Sequence, residues 1–324
     1  MLVIRATNVN DALTQGVQLV QDYGVDISPR GARTLEVPEP VCTVYQKPLQ
    51  RVLFSSVRDA NPFFHHMEAL WILAGRKDVA FLTKFNKRMA EFSDDGKVFH
   101  AAYGHRLRVG ADPRIYQDQF KEVIRLFRKD INTRRAVLQI WCNYMDLNVE
   151  SKDLPCNDLV FLKVRNGKLN ISVANRSNDV IWGCYGANAV QFSFIQEYLA
   201  AMLGVEVGEY RQVSDSYHVY PDNPLWDKLV EDIDPFDGYQ VFGFNTYPLV
   251  SDPEVFDHEL KIWFDNPSNA GIRYNNLYFQ GVAVPMYVCW QQHKCDRSGL
   301  SMVNHICADD WRFACRKWLE RREK

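Results

Sequence analysis

The chain has 324 residues, 47% hydrophobic and 24% charged, with a net charge of -2. That length suits one large domain or two ordinary ones, and the composition is that of a globular protein. The near-neutral charge excludes a nonspecific nucleic-acid binder, which would be strongly basic, but leaves room for a local basic pocket around a small phosphate.

No apolar run approaches the ~18 residues that span a bilayer, so no membrane association is expected. No charged-then-apolar leader opens the chain, and the eight cysteines (Cys42, Cys142, Cys156, Cys184, Cys289, Cys295, Cys307 and Cys315) read as free thiols in a reducing cytoplasm. Cys289, His293, Cys295, His305 and Cys307 have loose metal-ligand spacing. The cysteine gap is longer than in tight zinc pairs, so no metal is expected.

Ala6 to Gly24 reads as a helix, with Leu13, Val17 and Val20 at helical spacing and Gly24 as the stop. The loop Ser28-Pro29-Arg30-Gly31-Ala32-Arg33-Thr34 follows. Its glycine and two arginines can wrap an anion; taken alone, it reads equally well as a solvated turn. Residues 35–46 alternate as a strand does. Phe63 to Gly75 reads as a helix opened by Asn61-Pro62, with Glu68 inside its apolar face. A carboxylate there is costly unless it is paired, used or reaches solvent at the stripe edge.

Val79 to Phe92 reads as a second helix, Ala102 to Arg106 as a tight turn around Tyr103-Gly104, and Gln117 to Lys129 as an amphipathic helix with a basic end. Arg134-Arg135 stands before the strand Ala136 to Trp141, as a phosphate-binding pair or a surface basic pair.

The strands Leu159 to Val164 and Leu169 to Val173 are joined by Arg165-Asn166-Gly167-Lys168. Asn-Gly between alternating apolar runs signals a hairpin. Cys156, after Leu154-Pro155, is thereby brought near Arg176 in the cluster Asn175-Arg176-Ser177-Asn178-Asp179. A guanidinium beside a thiol raises the fraction of nucleophilic thiolate; a buried, inert cysteine is the other reading of the residue.

Gly183 to Gly186 reads as a glycine-bracketed loop, Ala189 to Leu203 as a largely buried helix, and Glu209 to Tyr217 as a strand leading to His218-Val219-Tyr220. His218 and Tyr220, two apart, project from one face. Beyond Asn223, Leu225 to Asp232, Phe256 to Phe264 and Asp310 to Arg322 look helical, and Gly281 to Trp290 looks like a strand. Residues 1–290 are read as the catalytic domain. Residues 291–324 are read as a C-terminal extension whose terminal helix packs on that domain.

In order along the chain, the arginine loop near Arg30, Glu68-Ala69-Leu70-Trp71 with Gly75, Tyr103-Gly104, Arg134-Arg135, Leu154-Pro155-Cys156, Arg176-Ser177-Asn178-Asp179 and His218-Val219-Tyr220 resemble the thymidylate synthase and deoxycytidylate hydroxymethylase family. The resemblance implies an α+β fold with a mixed, mainly antiparallel sheet flanked by helices. It also implies an enzyme that transfers one carbon from 5,10-methylenetetrahydrofolate to C5 of a pyrimidine nucleoside 5'-monophosphate.

By the same resemblance, Cys156 adds to pyrimidine C6, Glu68 orders water and manages protons, and Asp179 lies near the folate, with Tyr103 completing the catalytic set. Arg30, Arg176 and Ser177 hold the phosphate. Arg134 and Arg135 reach the phosphate of the other subunit of a homodimer. His218 and Tyr220 contact the sugar 3'-hydroxyl.

Departures from the synthase pattern bear on the outcome. The synthases carry a histidine where Asn157 follows the nucleophile. The asparagine that reads the uracil edge aligns, without gaps, with Ala187; Asn188 takes its place only if the loop shifts by one residue. No tryptophan stands in Asn86 to Phe92 to shield an exocyclic methylene from water. The chain ends Leu319-Glu320-Arg321-Arg322-Glu323-Lys324, unlike the short apolar tail that closes synthase sites. These departures favour hydroxymethylation, of cytidylate ahead of uridylate, over reductive methylation. A noncatalytic nucleotide-binding relative is a third reading, disfavoured by the intact Cys156 and phosphate arginines.

Overall fold

The computed structural model describes all residues except 113–115, 234, 235 and 324, and all side chains of the rest except that of Arg30. The chain opens with strand β1 (Leu2–Ala6) and helix α1 (Val9–Tyr23). Asn8 caps α1 by accepting the Asn10 and Asp11 N–H groups, which is why the helix starts later than the apolar spacing alone suggests. A hairpin of β2 (Val25–Ile27) and β3 (Thr34–Val37) carries the arginine loop, and β4 (Val41–Tyr45) follows. The single strand expected over 35–46 is thus two, broken at Pro38-Glu39-Pro40, where two residues lack the N–H a ladder needs.

Helix α2 (Pro62–Leu73) is capped by Asn61 and buried along its whole length. The helix expected over 79–92 is a short α3 (Val79–Leu82) and a separate 3-10 turn, Lys87–Phe92, none of whose residues is buried. Only Met89 of this stretch packs against the core, too little to hold one long helix there. The expected tight turn at 102–106 is instead helix α4 (Tyr103–Arg108), followed by α5 (Gln119–Lys129), strand β5 (Val137–Gln139) and α6 (Asn143–Asp146).

The Asn-Gly hairpin is present as β6 (Asn157–Arg165) and β7 (Lys168–Asp179), with Asn166 and Gly167 at φ 52° and 71°, the pair of positive values this tight turn requires. A π-helical turn, Val180–Ala187, replaces the expected loop and runs into α7 (Asn188–Leu203); β8 (Glu206–Val219) returns alongside. Then come α8 (Pro224–Glu231), α9 (Gly238–Phe242), α10 (Phe256–Asp265), α11 (Val284–Asp296), α12 (Gly299–Met302) and α13 (Asp309–Glu320). The expected strand at 281–290 is a correction. A π turn at Phe279–Ala283 feeds α11, because a short apolar run has no period that separates a buried strand from a buried helix.

The sheet order is β1-β4-β8-β7-β6-β5, with β3 also paired to β8 and β2 to β3. The β1–β4 and β7–β8 pairs are parallel and the others antiparallel, a mixed, mainly antiparallel sheet. Parallel β7 and β8 need a long crossover, which α7 supplies. Helices α2 and α7 are buried along the core, whereas Val137, Phe161 and Val3 on the sheet remain exposed. Helix α11 runs through residue 290, and α13 packs on α2 through Trp318 against Phe63 at 5.8 Å. No helix among the described residues is long and apolar enough to cross a membrane.

Gly104 lets α4 approach α2: a Cβ there would lie 2.1 Å from the Ile72 carbonyl oxygen. That atom is backbone and cannot swing aside. Gly104→Ala is therefore expected to cost about 2 kcal/mol or more in urea unfolding, within the range for overpacking. An unchanged unfolding midpoint would mean that α4 is free to move outward.

Candidate active site

The β6–β7 register brings Cys156 and Arg176 together. A register unbroken from the Arg165–Lys168 pair would set Cys156 opposite Ser177. A bulge between Asn157 and Leu159 shifts the pairing by one, so that Arg176 N–H donates to the Cys156 carbonyl at 3.0 Å. The bulge is held from β5's end, where the Ile140 and Trp141 N–H groups both donate to the Asp158 carbonyl. Arg176 Nε donates to the Pro155 carbonyl at 2.8 Å and Nη2 to that of Leu154 at 3.3 Å, leaving Nη2 3.8 Å from Cys156 Sγ. The Cys156 side chain is half-buried, and its N–H donates to the Tyr103 hydroxyl at 3.3 Å. Burial and the neighbouring Cys156 and Asp153 raise the Tyr103 pKa well above its ordinary value.

Asn157 is fully buried, and its Nδ2 donates to Asn188 Oδ1 at 3.2 Å. Asn188 Nδ2 in turn donates to Asn178 Oδ1 at 3.0 Å, and Asn178 donates to Gln212 and Ser214. Asn157 Oδ1 is buried without a partner. Ala187 closes the π turn beside this chain of amides, and Asn188 opens α7. A π turn takes in more residues per turn than an α-helix. Asn188, rather than Ala187, is the residue in the amide network at the end of that turn. Asn188 keeps one unused N–H and one unused lone pair, the complement of a uracil N3–H/O4 edge.

Glu68 sits midway along α2, buried, and accepts from Gln191 Nε2 at 2.7 Å. Burial pushes its pKa up to about 7, only partly offset by that bond. Asp179 begins the π turn and accepts the Ile181 N–H at 2.8 Å; burial raises its pKa against that bond and the nearby His218 and Arg58. His218 pairs with Asp179 across β7–β8 and hydrogen-bonds to Ser216 at 3.1 Å. Its ring meets Tyr220 edge-on at 5.3 Å. Ser177 is half-buried beside Arg176.

Arg30 lies in the short turn Pro29–Gly31, and its side chain is outside the described residues. Arg33, the other arginine of that loop, is engaged with Asp26 at 2.6 Å. Arg134 and Arg135 are exposed at the start of β5 and are not brought to this chain's own thiol. Ala136 accepts from Leu162, so the arginines lie beside the far end of β6, about 20 Å from Cys156 at ~3.3 Å per residue.

Several site residues went unread in the sequence. Trp182, in the π turn, is 40% exposed and tilted on Phe64. Arg58 is buried, donates to the Ile181 carbonyl at 2.6 Å and has an unpartnered Nη2. Asp153 completes the set. Neither a π turn nor a contact between distant segments leaves a local period. The one available cue was Asp153 standing three residues before the cysteine. Among the described residues no group of three or more His, Cys, Asp or Glu side chains is arranged to hold a metal.

A family model described as thymidylate synthase matches residues 54–235. The deoxyuridylate hydroxymethyltransferase of Pseudomonas phage M6 is 40% identical over 338 residues, covering 99% of this chain and 95% of that protein. The protein of the same name from Bacillus phage SP01 is 46% identical over 239 residues, 70% of this chain and 61% of its own length. A putative thymidylate synthase of Methanothermobacter thermautotrophicus is 31% identical over 222 residues, 68% of this chain and 94% of its own length.

Cys156→Ser should leave nucleotide affinity within about threefold of the wild type by calorimetry while abolishing turnover, since the thiolate and not its contacts drives the addition. A variant that still turns over would remove Cys156 from the chemistry. Glu68 generates a stability signal. Folded, it keeps its proton to about pH 7, whereas the unfolded chain loses it near 4.5. Between those values the native state holds the extra proton, so the Glu68 contribution falls as pH rises. Glu68→Gln should therefore gain on the wild type by about 3 kcal/mol between about pH 4 and about pH 8. Parallel urea curves at both ends would show that Glu68 ionises normally.

Proposed function

The chain belongs to the thymidylate synthase family, and from that membership we propose that it hydroxymethylates C5 of deoxyuridylate. It is an enzyme of the one-carbon transfer class and takes 5,10-methylenetetrahydrofolate as co-substrate, a donor of a methylene unit at the formaldehyde level. The observation that carries the reading is the Cys156 thiol 3.8 Å from the Arg176 guanidinium, with the Asn157–Asn188–Asn178 chain of amides alongside. A pyrimidine C5 is a poor nucleophile until sulfur occupies C6, which is why a thiol must come first.

Each residue then has one task. Cys156 adds to C6 and leaves at the end. Arg30, Arg176 and Ser177 hold the phosphate. Arg134 and Arg135 complete the partner's phosphate site in a homodimer, a role supported by their distance from their own thiol and by the uncovered sheet face around Phe161 and Val137. His218 and Tyr220 contact the 3'-hydroxyl. Glu68, with a pKa near neutrality, moves protons at the ring.

Asp179 offers an acceptor for pterin N–H groups, and Trp182 offers an exposed ring for stacking. Together they fit a planar aromatic amide such as the folate head. Residues 1–290 carry this machinery; 291–324 pack behind α2. Eight cysteines, none of them in a disulfide, suit a reducing cytoplasm.

Uridylate moves ahead of cytidylate for two reasons: the name carried by the phage M6 relative, and the unused donor and acceptor of Asn188. Water, rather than hydride, as the second reactant is supported by the unburied turn Lys87–Phe92, which has no tryptophan.

Mass spectrometry of products from dUMP, dCMP, UMP and CMP with methylenetetrahydrofolate tests base, sugar and reaction together. The expected result is a hydroxymethyl gain on dUMP with no dihydrofolate absorbance; a methyl gain with dihydrofolate would make the enzyme a synthase. Asn188→Asp, which turns the amide into an acceptor alone, should raise the dCMP-to-dUMP ratio of kcat/KM at least about tenfold. Ala187→Asn should change it little. The reverse pattern would return base reading to position 187.

A further inference from the structure

Capture of water by a C5 methylene requires a group to take the water's proton, and Glu68 is already tied to Gln191. Asp153 stands three residues before Cys156, on the segment that follows the turn Lys87–Phe92 through Asp94. The unshielded turn Lys87–Phe92 leads directly into Ser93 and Asp94. Asp94 then pins the segment before the nucleophile, accepting from Ser151 Oγ at 2.6 Å and from the Lys152 N–H at 3.0 Å. The next residue is Asp153. Its Oδ2 accepts the Ala101 N–H at 2.7 Å, two residues before Tyr103, whose hydroxyl accepts the Cys156 N–H. Asp153 Oδ1 makes no hydrogen bond among the described residues, and the half-buried side chain lies near enough to the Tyr103 hydroxyl to raise its pKa.

One carboxylate oxygen is thus fixed and the other has no hydrogen-bond partner among the described residues, three residues before Cys156. Resting on the hydroxymethylase reading above, we propose that Asp153 is the general base for the water that completes the hydroxymethyl group. Burial raises its pKa, with Asp94 acting in the same sense and the Ala101 N–H, His100 and Arg106 opposing. A carboxylate so raised is a better proton acceptor than an exposed one.

The step balances without an oxidant or reductant. The water oxygen forms the C–O bond to the methylene carbon, whose π electrons move into the ring. One water proton passes to Asp153 Oδ1. The ring electrons then expel the Cys156 thiolate from C6, and Asp153 returns its proton to solvent.

The same step run backwards needs no folate. Enzyme and 5-hydroxymethyl-dUMP in oxygen-18 water should exchange the hydroxymethyl oxygen: Cys156 adds at C6, protonated Asp153 assists water loss, and labelled water returns. Asp153→Asn is expected to slow the exchange about 100-fold or more. Its dUMP affinity should stay within about twofold of the wild type, with partial recovery in Asp153→Glu. Wild-type exchange in the Asn variant overturns the proposal. Parallel loss of exchange and of dUMP binding also overturns it, reducing Asp153 to a clasp between two segments. A wild type that makes no hydroxymethyl product and shows no exchange overturns the reaction assignment, and Asp153's role with it.

Discussion

The contact between Arg176 and the loop Leu154-Pro155-Cys156 is the constraint on which the site rests. The guanidinium donates to two loop carbonyls and still faces the sulfur, while lying 5.7 Å over the Trp141 ring. Two charge-assisted bonds to fixed carbonyls cost the arginine most of its freedom, so its charge is pre-organised beside the thiol. The geometry follows from one antiparallel hairpin, in which the start of β6 and the end of β7 share an edge. Parallel β8 then brings His218 level with Asp179, so Cys156, Arg176, Asp179 and His218 fall in one layer.

Behind that layer, polar groups are buried in numbers that would be costly if left single. The amides of Asn157, Asn188 and Asn178 satisfy one another in series, and Glu68 is held by Gln191 from the same helix that begins with Asn188. Helix α7 therefore links the amide chain to the buried carboxylate of Glu68. The network is incomplete at Asn157 Oδ1, a buried acceptor without a partner.

Legibility in the sequence followed the range of the interaction. The hairpin was readable because Asn166-Gly167 demands positive φ within two residues, and α2, α5 and α7 because caps and long apolar patterns are local. Residues 281–290 were misread as a strand and 102–106 as a turn, since short apolar or glycine-bearing runs take their state from whatever packs on them. The π turns had no signature at all, because an enlarged turn persists only where neighbours on both sides hold it.

The sequence by itself determined that a cysteine, a cluster of arginines, a carboxylate on an apolar helix and a histidine–tyrosine pair occur in an order that resembles one family. It also determined that the first two of these meet across a hairpin. Tertiary structure alone decided which residue faces which. The Asp158 bulge sets Arg176 rather than Ser177 against Cys156, Asn188 rather than Ala187 joins the amide network at the end of the π turn, and sheet order carries Arg134 and Arg135 away from their own thiol. Each is a displacement of one residue or one strand, fixed by contacts between segments far apart in the chain, and no local preference encodes it.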